Sequence, residues 1–427
     1  MTERANAERW RQAAWAEVER GRDEWINLLA EVIRRPSDNP PGDTTALATY
    51  ISQVLAAEGL EPSVFEPKAG NPNLVVPLQG AAPGRHLVLN GHLDQFPVEE
   101  PGAWSLPPYS GEVRDGCIYG RGAADMKGGT TALLAVTLLL KRLQVPFAGR
   151  VTLTLVSDEE TGGRWGAQWL VENRPEVLGD AVLNAEPSSP AAIGVAEKGI
   201  CWLRVTTHAP GGHSGLSPLD NAIYKMSAAV QAGLKLRGRQ GQVPASLQQG
   251  LNQSKELLEG MAHGKGSGWV LDSVTLNVGT IQGGCKANVV PALCTADFDF
   301  RLPIGITPEQ LQADFRALLS EQGLSEEEVD IEPTLVSPPN HTEPSEPIIE
   351  LLARNAQAVT GARPHMHTSY GGSDCRFWRW RNIPAGMFGP KPHNIGAPDE
   401  YILIEDYLNT MKVHAGTIID YLGVADQ

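Results

Sequence analysis

The sequence predicts an α/β protein: a mostly parallel sheet flanked by helices, with a ferredoxin-like α+β domain inserted into it. Three observations predict this. HLVLN (86–90), VTLTLV (151–156) and AVLN (181–184) are short apolar runs, as expected of strands buried on both faces of a parallel sheet. A helix rich in Leu and Ala, about 127–143, separates the first two, which is βαβ grammar. Near residue 197 the grammar changes to strand (199–209), helix (218–237), two strands (272–281 and 293–302), helix (308–321) and strand (329–335). That βαββαβ order is the split ferredoxin-like unit. The expected domains are therefore a discontinuous 1–196 plus 336–427 and an inserted 197–335.

The remaining elements follow in order. Residues 6–34 read as one amphipathic helix, with Trp15, Val18, Trp25, Leu28, Leu29 and Val32 on a stripe. Pro36, Pro40, Pro41 and Gly42 end it, and 44–59 read as a second helix. Residues 238–268 form a long polar stretch rich in Gly, Gln and Ser, the composition of a mobile lid element. From about 345 the βα grammar returns, with a helix at 346–360, the turn YGGSD and a closing helix at 405–422.

A chain of 427 residues is long enough for two or three domains. Its 41% hydrophobic and 20% charged residues are those of a soluble globular protein. With 35 basic against 50 acidic residues, net charge −15, it lacks the basic surface that nucleic acid or an anionic membrane requires. The five cysteines form no CxxC pair, which argues against a disulfide framework and a thiolate metal site. The charged first twenty residues contain no apolar h-region, and the run Thr130 to Leu140 is too short to span a bilayer. The expected location is the cytoplasm.

Three apolar strands run straight into ligand-type residues. HLVLNG leads to His92 and Asp94, VTLTLVS to Asp158, Glu159 and Glu160, and AVLNA to Glu186. Sites in open α/β sheets form beyond the carboxyl ends of the strands, so these side chains should converge on one crevice. One acidic residue after a strand is ordinary helix N-cap chemistry; three in one sheet, one set carrying a histidine, are not. His92 and Asp94 are two apart and point to the same side of an extended chain. Asp94 either orients His92 or is itself a ligand. Asp125 lies in GRGAADMKGG, a glycine-rich turn that does not complete a GxGxxG fingerprint. Burying Glu159 beside Glu160 is costly unless a cation compensates. Two divalent ions would outweigh Asp125, Glu160 and Glu186 by one positive charge. That excess favours ionising a water between them, with Glu159 free to take the proton as general base.

GHLD, GRGAADMKGG, SDEETGG and NAEP, together with GGHSGLSPLDNAI, GGCKANVVP, FDFR, YGGSD and PDEYI, resemble the dinuclear zinc aminoacylase and carboxypeptidase family. Acetylornithine deacetylase, succinyl-diaminopimelate desuccinylase and glutamate carboxypeptidase belong to it. The resemblance spans nearly the whole chain and implies a metallohydrolase domain carrying an inserted lid and dimerisation domain. It implies two divalent metal ions per subunit, zinc first, with cobalt or manganese compatible with the same ligands. His92 and Glu186 would hold one ion, Glu160 and a late histidine the other, with Asp125 bridging, Asp94 orienting His92 and Glu159 as base. His213 would approach the partner's site in a homodimer or higher homo-oligomer and stabilise the tetrahedral oxyanion. Asn288 and Arg301 would hold a substrate carboxylate near the Gly371–Gly372 backbone.

The match departs at the last ligand. The family's histidine stands four or five residues before the Glu of the DEY-like stretch, where this chain has Ala397 or Gly396. The nearest histidine, His393, is the expected substitute; His365 and His367 are further candidates, and His208, His263 and His341 read as structural or exposed. The leading expectation is hydrolysis of the amide bond of a small N-acyl amino acid or related carboxylate. Hydrolytic deamination of an activated aromatic amine on the same site is the alternative. A non-catalytic scaffold is a third reading, disfavoured because a scaffold has no use for a spare base.

Overall fold

The computed structural model describes residues 3–216, 218–260 and 265–425. The chain forms two compact units. The first comprises Met1–Val195, Thr342–Met366 and Ser373–Gln427; the second comprises Ala196–His341 and His367–Gly372. The second unit thus also takes a short strap that the sequence had grouped with the outer domain.

The first unit is built on a mixed sheet with a parallel centre. Ala82–His92 lies between Ala148–Val156 and Ala181–Asn184, parallel to both, and Ala385–Met387 runs parallel to Ala181–Asn184. Antiparallel strands flank this centre: Asn73–Gln79 beside Ala148–Val156, then Ser63–Phe65. On the other side Ala192–Glu197 pairs antiparallel with Ala385–Met387. The three strands whose ends carry the ligand-type residues are thus paired parallel, with Ala385–Met387 as a fourth parallel strand. The helix Gly128–Arg142 packs against them and is buried from Gly128 to Leu140, which is why its sequence is apolar all round. Among the described residues, Ala123–Arg142 alone has the length and composition to cross a membrane, yet 94% of its apolar window is buried inside the protein.

The N-terminal stretch read as one helix is two, Glu3–Arg20 and Arg22–Ile33, broken at Gly21. A Cβ at Gly21 would stand 2.6 Å from Trp25 Nε1, so only glycine lets the Trp25 indole pack against the break.

The second unit is a four-stranded antiparallel sheet in the order Thr275–Gly283, Leu293–Leu302, Gly199–His208, Val329–Ser337. With the helices Ala222–Leu236 and Pro308–Glu321 this is the ferredoxin-like arrangement. Alternate residues of Gly199–His208 and Leu293–Leu302 are buried, so one face of the sheet meets the helices. The Pro308–Glu321 helix opens with a capping box in which Thr307 and Gln310 satisfy each other's backbone N–H groups. The polar stretch read as a mobile lid contains a 16-residue helix, Ala245–Gly260, whose Leu247, Leu251 and Ser254 are buried. His263 lies outside the described residues.

Candidate metal centre

Parallel strands end on the same side, and that is what assembles the centre. His92 is the last residue of Ala82–His92 and stands opposite Val156 of the neighbouring strand. The Leu93 N–H donates to the Val156 carbonyl at 2.7 Å, and Thr130 Oγ1 donates to the His92 carbonyl at 2.7 Å. Beyond Val156 the chain turns at Asp158, whose φ is +81°, into the short 3-10 turn Glu159–Thr161. The Asp158 carboxylate receives the Trp165 N–H at 3.0 Å and the Thr161 hydroxyl, which fixes the turn. Past Ala181–Asn184, the Glu186 N–H donates to Asn184 Oδ1 at 2.6 Å, and Asn184 Nδ2 donates to Asn90 Oδ1 at 2.8 Å. A Cβ on Gly129 would fall 1.9 Å from the Ala185 carbonyl oxygen, so glycine lets the central helix approach this strand end.

The side chains meet in two trios whose donor atoms lie within 4.8 Å of one another: His92, Glu159 and Glu186, and His92, Asp125 and Glu160. His92 Nε2 is 3.2 Å from Asp125 Oδ1 and 3.6 Å from Glu186 Oε1. Its Nδ1 faces Asp94, 2.9 Å from the carbonyl and 3.4 Å from Oδ1. The Asp94 carboxylate also receives Asn39 Nδ2 at 2.9 Å and the Glu159 and Glu160 N–H groups at 3.2 and 3.1 Å. Asp94 thereby ties the first strand end to the second.

The electrostatics suit a cation. Burial, then the neighbouring carboxylates, push Glu160 and Glu186 well above the ordinary carboxylate range. Glu159 is raised by burial, which the Arg376 guanidinium opposes at 3.0 Å from its Oε1. Burial works against a charged His92, but Glu186, Asp125 and Asp94 outweigh it and raise its pKa. Asp94, although buried, is lowered by His92, Asn39 and the Glu160 N–H. One oxygen of Glu160 is buried without a hydrogen-bond partner, and so are both oxygens of Asp374. Crowded carboxylates around one imidazole, with an open oxygen, fit divalent metal ions.

Not every expected residue joins this cluster. His393 does not: its ring stacks on Tyr401, with centroids 4.5 Å apart and planes at 8°, and its backbone bridges Tyr401. Burial, then Lys391, lowers its pKa, and Asp406 is the acid that opposes them. His365 Nδ1 stands 2.7 Å from the Ala191 carbonyl, and His367 Nδ1 stands 3.0 Å from Ser254 Oγ. His208 pairs with Asp330 on the surface, and His341 is a half-buried strand residue.

In the second unit, His213 and Asn288 come together at one end of the sheet. Gly212–His213 pairs with Val289–Val290, and the Ser214 N–H donates to the Asn288 carbonyl at 3.3 Å. Arg301 is at the other end, opposite Ile200, and its guanidinium is bound to Asp299 at 2.8 and 3.1 Å. The strap carrying Gly371 and Gly372 lies at the Arg301 end, where the Lys198 N–H donates to Ser369 and the Gly371 N–H to Ser369 Oγ. Eight residues of extended strand separate the two ends, roughly 26 Å. Asn288 and Arg301 of one chain therefore cannot grip the same small carboxylate.

Sequence reasoning also missed several residues. Arg376 and Asp374 stand in and just beyond YGGSD, where only the glycines drew notice. Glu400, in PDEYI, accepts the Ala124 and Asp125 N–H groups at 2.9 and 3.2 Å and pairs with Arg121 at 2.5 Å. Asn39, which holds Asp94, lies in the proline-rich break after the helix Arg22–Ile33, where nothing but turn chemistry was legible.

The fold and the clustered ligands define a metal-dependent hydrolase. The chain belongs to peptidase family M20/M25/M40, whose model matches residues 88–420. It is 31% identical over 416 residues to a succinyl-diaminopimelate desuccinylase of Methylorubrum populi, covering 92% of this chain and 97% of that one. Its fold is similar to the family M20 metallo-carboxypeptidase Sso-CP2 of Sulfolobus solfataricus, with TM-score 0.78, 20% identity and coverage of 93% and 99%. It also resembles the Bacillus subtilis YXEP protein, a dinuclear metal binding peptidase, with TM-score 0.66, 14% identity and coverage of 95% and 99%.

Proposed function

We propose that this protein hydrolyses the amide bond of a small N-acylated carboxylate, the class to which the desuccinylase relatives point. The observation that carries the reading is the pair of ligand trios sharing His92, one of which includes the Glu159 carboxylate. Two divalent ions are proposed, zinc first. His92 and Glu186 would hold one, Glu160 would help hold the other, and Asp125 would serve both. When bound, the ions polarise the amide carbonyl and make water acidic near neutral pH. Asp94 fixes the orientation of the His92 ring through Nδ1. Glu159, aimed by Arg376, takes the proton from water and returns it to the leaving amine. Burial, then the Glu159 carboxylate, pushes the neighbouring Asp374 carboxyl well above the ordinary carboxylate range, against the pull of Arg376.

The first unit is proposed as the catalytic domain and the second as the lid and dimerisation domain. Support for a dimer comes from Thr275–Gly283, an edge strand whose Ile281 is 56% exposed, on a unit that also exposes Tyr224 and Leu293. His213 and Asn288 then serve the partner's site together, while Arg301 and the Gly371–Gly372 strap bind the substrate carboxylate in their own chain. The cytoplasm remains the proposed location; all five cysteines are free and four are buried, which suits a reducing compartment.

The test is amine and ammonia release across a panel of N-acyl amino acids and activated aromatic amines, before and after chelation. Chelator-sensitive amine release from acyl amino acids is expected. Ammonia release from aromatic amines alone, or full activity in metal-free protein, overturns the reading. The shared site has its own assay: mixing His213→Ala with Glu159→Ala subunits should restore activity. Demonstrated subunit exchange without restored activity excludes it.

A further inference from the structure

The two ligand trios are not chemically alike. Both contain His92, and the second adds only Asp125 and Glu160. Yet His92 has one nitrogen to give. Its Nδ1 faces Asp94, leaving Nε2 alone directed at Asp125 and Glu186. A ring nitrogen has a single lone pair in its plane and ligates a single ion. Whichever position takes Nε2, the other is left with carboxylate oxygens.

Nothing near the second trio makes good the deficit among the described residues. The His393 ring is packed flat on Tyr401, and the charged groups acting on it are Lys391 and Asp406, none of them members of the cluster. The loop that carries it is pinned in place. Arg121 Nη2 donates to the Gly396 carbonyl at 3.0 Å while Nη1 pairs with Glu400, and the Tyr401 and His393 backbones exchange hydrogen bonds at 3.2 Å. Glu160, meanwhile, keeps one buried oxygen without a partner.

We infer that the centre has two unequal positions. One contains the His92 imidazole with Glu186 and holds zinc tightly; the other, built on Asp125 and Glu160, is an all-oxygen position. Oxygen donors suit hard divalent cations such as manganese and magnesium and give up the imidazole's preference for zinc. The second position therefore fills last, and with whichever hard cation is in excess. This rests on the hydrolase reading above and sharpens it.

The test is metal binding by the full-length protein, read by calorimetry and elemental analysis independently of activity. Zinc titrated into metal-free protein should bind in two phases, the second at least about tenfold weaker for want of a nitrogen ligand. Protein holding one zinc should then take up about one equivalent of manganese without releasing the zinc, with a spin-resonance signal of bound ion. Glu160→Gln should lose that manganese and keep the zinc. Two zinc equivalents of equal affinity, or manganese that displaces the zinc, overturn the inference while leaving the hydrolase reading intact. No tight zinc at all overturns both.

Discussion

The strand-end cluster and the loop from Gly389 to Glu400 lie in the same unit and are both firmly held, but by different means. In the cluster, the strand-end residues are placed by neighbouring elements: His92 by Val156 of the next strand and Thr130 of the central helix, Glu186 by Asn184, and the Glu159–Glu160 backbone by Asp94, while Asp125 alone among the ligand-type residues is held by the remote Glu400. The loop is placed by groups that lie outside it in sequence, one of them hundreds of residues away. Arg121 pairs with Glu400 across 279 positions, and His414 reaches back to the Phe388 carbonyl just before the loop begins. Local placement makes a residue's position a consequence of its strand. Remote placement makes it a consequence of the finished fold.

The largest expected effect tests the cluster. Glu159→Gln should lose about 10²–10⁴ in turnover, the worth of a positioned general base, while elemental analysis finds the metal content unchanged. The trio His92, Glu159 and Glu186 also permits Glu159 to be a ligand. Loss of metal in step with turnover would assign it that role.

The next effect tests the loop. Arg121 is 3% exposed and Glu400 fully buried, so Arg121→Gln leaves a buried carboxylate without its countercharge. Removing one partner of such a pair costs about 3 kcal/mol or more. Urea unfolding should show the loss. A change within experimental error would mean that the loop is held without this pair.

A third effect concerns the root of the loop and depends on pH. His414 is fully buried, its Nε2 is 2.7 Å from the Phe388 carbonyl, and burial lowers its pKa to about 4. The folded state therefore resists protonation while the unfolded state, at about 6.5, accepts it. The resulting stability is present above pH 6.5 and falls as pH drops towards 4. Between pH 7.5 and pH 5 the wild type should lose about 2 kcal/mol relative to His414→Gln, which can keep the hydrogen bond but cannot titrate. Parallel pH profiles for the two proteins would remove His414 from the account.

The same contrast explains what the sequence disclosed. HLVLNG, VTLTLVS and AVLNA announced both the parallel core and the positions of His92, Glu159, Glu160 and Glu186, because a strand end carries its next residues with it. The βαββαβ succession was legible for the same reason, since each element has its own periodicity. Arg376 and Glu400 carried no such mark; their roles arise from partners brought near by folding. The Ala245–Gly260 helix was hidden by its Gln, Ser and Gly content, which diluted the stripe of Leu247, Leu251 and Ser254. Asn288 and Arg301 were grouped by their expected chemistry, whereas the register of Leu293–Leu302 sets them at opposite ends of one sheet.

The smallest expected effect is also the sharpest test of the comparison, because it concerns the residue on which the sequence and the structure part. His393 was expected to be a ligand because an imidazole was needed and it was the nearest one. Its place in the fold is instead a flat stack on Tyr401, beside Lys391 and Asp406. A stacked aromatic pair contributes about 1 kcal/mol beyond the area it buries. His393→Ala should therefore lower stability by about that much, keep the protein's full metal content and retain most of its turnover. His393→Phe, which keeps the stack but has no nitrogen to donate, should restore the lost stability. Should both variants instead lose one metal ion per chain, the loop must swing His393 off Tyr401 when metal binds. Remote placement would then have proved the weaker constraint, and the unequal centre would have its missing imidazole after all.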